Sequence, residues 1–171
     1  LMASFNNIAM VFNIMTYLSM QDKIKFQTEL NSFEQFLETF PMPMYKSFIL
    51  SWKAKIEYWN GDLESALKQL DLAIESSKQS IVNLQTNNIV DQYIFNKAEI
   101  LYELGNHNGA LEDIDFILNR NPLFVDAHVL SAKIYQAQNN TTLAQSSIQK
   151  AKDIWKDADE DYVGVKKLEN F

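Results

Sequence analysis

The side chains that most often perform catalysis or bind metals are few in this sequence. Its two histidines, His107 and His128, form no His-x-x-x-His pair and no other ligand spacing. Cysteine is absent, so the chain has neither a thiolate ligand nor a cysteine nucleophile. We interpret both histidines as structural, His107 as a solvated turn residue and His128 as a partly buried helix residue. The sequence therefore predicts no metal.

Acidic residues and glycines give no further sign of chemistry. The acidic run 157–161 has the charge of a calcium loop but lacks its central glycine and full ligand spacing, so we interpret it as a solvated helix start. Asp113 and Asp115 stand two apart on a predicted helix and hence on different faces. The four glycines are too scattered for a phosphate-binding loop. We predict that the protein is not an enzyme and needs no cofactor.

Composition and charge exclude several classes of partner. With 171 residues, 47% hydrophobic and 22% charged, the chain has the balance of one soluble globular domain. Its net charge is −7, and Arg120 is its only arginine. Proteins that bind nucleic acids usually carry a basic patch and contact phosphates and bases through arginine. DNA, RNA and anionic membrane surfaces are therefore poor candidates.

The first 21 residues contain no charged side chain. Polar Asn, Ser and Thr residues interrupt them too often for a membrane span, which needs about 20 predominantly apolar residues. They also lack the basic start and the cleavage site of a signal peptide. We predict a helix buried between neighbours, the alternative being a membrane-proximal segment of a longer protein. The cytoplasm and the periplasm both remain open as compartments.

Helical periodicity runs nearly end to end. Apolar residues recur at spacings of three and four, as on the buried face of an amphipathic helix, and no segment alternates as a strand would. Breakers separate these stripes at 41–43, 60–62, 105–106, 121–122 and 139–140, with a further turn at 21–22. Because the breaks are short, successive helices should pack as antiparallel hairpins. The sequence predicts an all-α fold.

An internal repeat is the strongest signal. Residues 97–106 align with 131–140 at an offset of 34, which also superposes Ala110 on Ala144. Moving back by 44 places Ala54 under Ala98. The ten extra residues fall between Ser80 and Val90. We interpret this insert as additional helical turns with a polar turn at 87–88.

The repeat resembles the tetratricopeptide repeat (TPR) family. That family places small residues where two helices touch, large apolar residues between units, a glycine at the turn and a proline at the end of the unit. Residues 91–124 meet this pattern with Ala98, Leu101, Gly105, Ala110, Ile114, Ile117 and Pro122. Residues 125–158 have Asn139 in place of the glycine and no final proline, and 47–80 has Glu57 where a large apolar residue is expected, with Tyr58 beside it.

The resemblance implies an antiparallel helix-hairpin superhelix, a TPR-like solenoid of three to four helix pairs. We expect a single domain over 1–171. Its parts are a divergent N-terminal helix pair (1–46), a repeat (47–80) with a helical extension (81–90), repeats at 91–124 and 125–158, and a C-terminal capping helix (159–171).

The same resemblance implies a binding module, because the first helix of each TPR unit lines a concave groove for a peptide or a partner helix. By alignment, the candidate groove residues are Phe48, Lys55, Tyr58, Gln92, Phe95, Asn96, Glu99, Tyr102, Lys133 and Gln136. Tyr58 and Tyr102 are equally well interpreted as core residues. Of the positions at which some TPR domains clamp a chaperone's terminal carboxylate, only Asn96 matches, so binding of that ligand is not predicted.

Three functional hypotheses follow. The first is a non-enzymatic scaffold that binds a protein or peptide, from a bacterial source with an AT-rich genome because Asn, Gln and Lys are abundant. The second is a sensory or regulatory module of a longer chain, such as a membrane-anchored regulator or an enzyme with a TPR extension. The third is self-assembly, in which the uncharged first helix pairs with a second copy as a homodimer.

Overall fold

The computed structural model describes residues 2–78 and 87–158 and the single positions Val165 and Leu168, and all the regular structure within them is helical. Eight α-helices lie in those ranges, with one 3₁₀ turn at Pro43–Tyr45. They are α1 (Met2–Ser19), α2 (Lys23–Thr39), α3 (Lys46–Asn60), α4 (Leu63–Lys78), α5 (Asn87–Glu103), α6 (His107–Arg120), α7 (Val125–Ala137) and α8 (Thr141–Ile154).

Four helix hairpins turn in the same way. Between α3 and α4, Gly61 has φ 82°, its N–H donates to the Tyr58 carbonyl at 3.1 Å, and the Asp62 N–H donates to the Glu57 carbonyl at 3.0 Å. These two bonds form a Schellman motif, which satisfies carbonyls that the end of the helix leaves free. The same pair of bonds recurs at the other three turns. The left-handed residues there are Gln21 (φ 55°), Gly105 (φ 75°) and Asn139 (φ 59°).

The residue after each left-handed position caps the second helix of the hairpin. The four capping residues are Asp22, Asp62, Asn106 and Asn140, whose side-chain oxygens accept hydrogen bonds of 3.0 to 3.2 Å from the backbone N–H three positions later. Asp and Asn are among the preferred N-cap residues because their side chains replace the missing helical acceptors. Only two or three residues therefore separate the end of one helix from the start of the next.

Small residues lie at the contacts between helices. Helices α1 and α2, α3 and α4, and α7 and α8 pack against each other in pairs. The alanines that the repeat places at such contacts are all buried, which lets the helix axes approach closely. They are Ala54, Ala66, Ala73, Ala98, Ala110, Ala132, Ala144 and Ala151.

The chain divides into two compact units, Leu1–Tyr93 and Ile94–Phe171, and the single domain over 1–171 stays a prediction. The core of the first unit is aromatic. Phe33 is fully buried and meets Trp52 and Tyr45 edge to face, with ring centroids 6.2 and 5.2 Å apart. Phe26 meets Trp59 in the same way at 5.2 Å. Such edge-to-face contacts add to the stabilisation from burial alone.

The second unit has an aliphatic core. Val125, Val129 and Ala132 of α7 pack against Ile148 and Ala151 of α8. Leu168 is buried in the same cluster, and Val165 and Leu168 are both helical. The other residues of the predicted capping helix 159–171 lie outside the described residues, so that helix stays a prediction.

The structure differs from the prediction in the second half of the insert, at residues 87–90. Residues 87–90 begin α5, the first helix of the next pair, and contain no turn at 87–88. The helix starts this early because Ile89 and Tyr93, four positions apart, continue the apolar stripe of α5 upstream. Residues 79–86, which include the rest of the predicted insert, lie outside the described residues.

The left-handed turns yield a stability prediction. Gln21 has φ 55°, a conformation that costs a residue with a Cβ about 1–2 kcal/mol and costs glycine little. We expect Gln21→Gly to stabilise the protein by about 0.5–1 kcal/mol, measured by urea unfolding. The control Ala9→Gly, at an exposed position in the middle of α1, should destabilise it by about 1 kcal/mol. Equal losses in both variants would contradict the proposed role of the turn.

The buried alanines yield a second prediction. Ala110 is fully buried, so Ala110→Leu should overpack the contact and destabilise the protein by about 1–3 kcal/mol. Ala137 is exposed on α7, and Ala137→Leu should change the stability by less than about 0.5 kcal/mol. Thermal and urea unfolding of the two variants would measure this difference. An unchanged midpoint for Ala110→Leu would refute the repeat register.

Candidate functional site

The first unit brings two of the predicted residues, Lys55 and Tyr58, into contact at the end of α3. The Lys55 Nζ lies 4.7 Å from the Tyr58 ring centroid and 5.5 Å from that of Trp59. All three side chains are half-buried. A lysine above an aromatic face is held by the ring quadrupole, and its ammonium keeps free hydrogen-bond donors. This part of α3 therefore presents a positioned cation beside partly exposed rings.

Phe48, nearer the start of α3, belongs to the aromatic packing of the first unit. Its ring lies 6.0 Å from that of Trp52 and 6.4 Å from that of Tyr45, and it is half-buried. Gln92 is the other candidate residue of this unit, and its side chain is exposed on α5. The roles of both residues in binding stay predictions.

In the second unit, Phe95 and Tyr102 pack against neighbouring rings. Phe95 is only 7% exposed and lies 5.3 Å from the ring of Phe124. Tyr102 is half-buried and stacks on His107 at 5.5 Å with an interplanar angle of 27°. Side chains packed in this way contribute to the core. Asn96, between them in sequence, is half-buried, and Glu99 is exposed.

Helix α7 carries a narrow polar strip. Eight of its 13 residues are buried, yet Lys133 and Gln136 are both exposed. Because they are three residues apart, they lie on the same face of the helix. A helix that is otherwise so buried leaves this strip as its accessible surface.

Gln136 also lines an open cleft of about 640 Å³ against α8. Amide and hydroxyl side chains dominate its wall, together with Lys152. They include Thr141, Gln145 and Gln149, which offer both donors and acceptors. Such a lining suits hydrogen bonds to a peptide backbone. Apart from Gln136, the sequence analysis did not single out these residues, because the repeat pattern specifies only the packing positions of α8.

The sequence analysis also missed Lys23, at the start of α2. Its Nζ lies 5.8 Å from the Trp59 ring centroid and donates a 3.3 Å hydrogen bond to the Trp59 carbonyl oxygen. A cation at the carboxyl end of α3 is also favoured by the helix dipole. The two residues are 36 positions apart, so no local spacing could indicate their contact.

Two carboxylates near these lysines in sequence, those of Asp22 and Asp62, accept hydrogen bonds at the starts of helices. The backbone N–H of Lys25 lowers the pKa of the Asp22 carboxyl, and the backbone N–H of Ser65 lowers that of Asp62. The Lys25 Nζ also lies 3.2 Å from Asp22. Both acids stay ionised at neutral pH and are committed to helix starts and to Lys25.

The histidines are structural in the described part of the chain. His107 is the first residue of α6 rather than a turn residue, since Asn106 supplies the cap before it. His128 is buried and its Nε2 lies 2.9 Å from the Pro122 carbonyl oxygen, to which it donates. Within 2–78 and 87–158, no three His, Asp or Glu side chains converge on a metal-sized site. No helix of those ranges has the length and apolar character to cross a membrane.

Solved structures share this fold. No protein-family model matches the sequence, and neither does any curated protein. A tetratricopeptide repeat protein from Parabacteroides merdae superposes with a TM-score of 0.63 at 17% identity, over 95% of this chain and 57% of its own. YrrB, described as a TPR protein with an unusual peptide-binding site, gives 0.63 at 14% identity, over 96% of this chain and 75% of its own.

A chain of the APC/C hetero-tetramer Cut9–Hcn1 gives a TM-score of 0.74 at 14% identity, over 95% of this chain but only 29% of its own. The present chain thus spans less than a third of that protein. The fold is that of the tetratricopeptide repeat proteins, which confirms the fold class predicted from the repeat.

Proposed function

We propose that this protein is a non-enzymatic scaffold that binds a protein or peptide through the first helices of its repeats. The observation that carries the proposal is the polar strip of α7, where Lys133 and Gln136 stay exposed on a helix of mostly buried residues. Packing does not require a lysine or a glutamine at these positions. Side chains that the fold leaves accessible in this way are available to a partner.

The fold supports the same proposal. A helix pair of this fold exposes one face of its first helix, which suits recognition of a peptide or a partner helix. YrrB, whose fold this chain shares, has a peptide-binding site. In the first unit, Lys55 and Tyr58 add a cation and an aromatic ring, and aromatic residues are enriched at binding surfaces.

Selection from a phage-displayed random peptide library tests this function. We expect the purified protein to enrich peptides, and Lys133→Glu to weaken their binding about tenfold by reversing a charge on the strip. Lys150→Glu, an equal charge change at an exposed position on α8, is the matched control and should leave the affinity within about twofold. Failure to enrich any peptide, or equal effects of the two substitutions, would contradict the proposal.

Self-association through α1 is a second candidate function. Ile8, Phe12 and Met15 are 50, 66 and 56% exposed and recur at spacings of four and three, so they form one apolar stripe. Helix α1 is the only described helix without a charged residue. Each copy has a net charge of −7, so two copies repel each other less when they meet through the uncharged α1 than through a charged helix.

Light scattering at increasing protein concentration tests this second function. We expect the wild type to form dimers, and Phe12→Glu to remain monomeric because it places a buried carboxylate in the contact. Leu123→Glu, which changes an exposed apolar residue of the other unit, should dimerise like the wild type. A monomeric wild type at the highest soluble concentration would exclude the dimer.

A further inference from the structure

Two lysines of the first unit converge on one indole ring. The Lys23 Nζ lies 5.8 Å and the Lys55 Nζ 5.5 Å from the Trp59 ring centroid, and Lys55 also lies over Tyr58. We call Lys23, Lys55, Tyr58 and Trp59 the lysine–indole cluster. Its parts come from the start of α2 and the last turn of α3.

Neither lysine of the cluster has a carboxylate within 4.0 Å among the residues that the structure describes. Other lysines of the same unit do: Lys53 lies 2.6 Å from Glu34, and Lys25 lies 3.2 Å from Asp22. Both ammonium groups therefore contact the same indole ring and lack an ion-pair partner. A carboxylate from a ligand would supply the partner that each of them lacks.

The fold holds these lysines in place. Lys23 is fixed by its hydrogen bond to the Trp59 carbonyl oxygen at 3.3 Å, and Trp59 is fixed by its edge-to-face contact with the buried Phe26. Lys55 is held over two rings. A ligand therefore meets side chains that are already positioned, which lowers the entropic cost of binding.

We propose that the lysine–indole cluster binds a carboxylate side chain of an acidic peptide segment, with an apolar neighbour of that side chain lying on Tyr58 and Trp59. An ammonium group donates hydrogen bonds to a carboxylate as a compact point charge and needs no bidentate geometry. The half-buried rings add the apolar surface that a peptide offers and a free anion does not. This inference rests on the proposed peptide-binding function and specifies the chemistry of its ligand.

Two short probes test the proposal directly. We would titrate ¹⁵N-labelled protein with the peptide acetyl-Glu-Glu-Leu-Glu-amide and with its matched neutral form, acetyl-Gln-Gln-Leu-Gln-amide. The indole N–H resonance of Trp59 should shift with the acidic peptide and not with the neutral one. Added salt should weaken the binding, because exposed charges are screened. No shift, or the same shift with both peptides, would overturn the inference.

Substitutions in the cluster provide a second test of acidic-peptide binding. The double substitution Lys23→Gln with Lys55→Gln should bind the acidic peptide about tenfold more weakly. Lys46→Gln with Lys68→Gln removes two charges from exposed positions of the same unit outside the cluster and should bind like the wild type. Lys55→Arg keeps the charge and should retain binding, which guards against a loss caused by misfolding, as does the urea midpoint of each variant. Equal binding by the double variant and the wild type would overturn the inference.

The two proposals fail in distinguishable ways. In one case, library peptides bind and their binding depends on Lys133, but the peptides selected by the double variant contain as many acidic residues as those selected by the wild type. The scaffold function then stands, and the cluster is not its carboxylate site. If no library peptide binds but the acidic probe still shifts Trp59, the cluster binds carboxylates and the scaffold function fails. If the wild type selects peptides rich in acidic residues and the double variant does not, both proposals are supported.

Discussion

The structure depends on one local constraint, the turn of two or three residues that reverses the chain between the helices of each pair. A residue at positive φ closes the Schellman bonds, and the Asp or Asn after it caps the next helix. Because the turn is so short, the two helices run antiparallel and in contact, and in the α3–α4 and α7–α8 pairs small side chains lie between them. The buried alanines are a consequence of this geometry. Its recurrence at Gln21 extends the repeat into the N-terminal pair, where the packing residues no longer resemble the later units.

Those turns explain why the fold could be predicted from the sequence. Glycine adopts positive φ at the lowest cost, as Gly61 and Gly105 do, and asparagine, as at Asn139, tolerates it next best. Residue type alone therefore indicated three of the four turns. The boundary of the insert was harder to predict. Asn87 can begin a helix as well as form a turn, and the choice depends on the apolar residues of α5 further along. Local signals determine where a turn is possible, and burial determines whether the helix continues.

The candidate site was less predictable because the repeat specifies packing positions and leaves the positions between them open. Alignment therefore predicts a face of each first helix, but not which side chains on that face are accessible. Phe95 and Tyr102 lie against Phe124 and His107, and these contacts join different helices. Lys23 reaches Trp59 from a helix 36 residues earlier. Such contacts depend on how the hairpins pack, and the apolar period of a single helix does not predict that packing.

The distribution of charge connects fold and function. Several acidic side chains of the first unit have structural partners: Asp22 and Asp62 cap helices, and Glu34 pairs with Lys53. Capping points the Asp22 and Asp62 carboxylates at backbone N–H groups, so neither forms an ion pair with Lys23 or Lys55 although both stay ionised. Lys23 and Lys55 contact aromatic rings and a carbonyl oxygen instead, which orient an ammonium group without cancelling its charge. The geometry of the turns thus helps to determine which lysines of this acidic protein have a carboxylate partner and which do not.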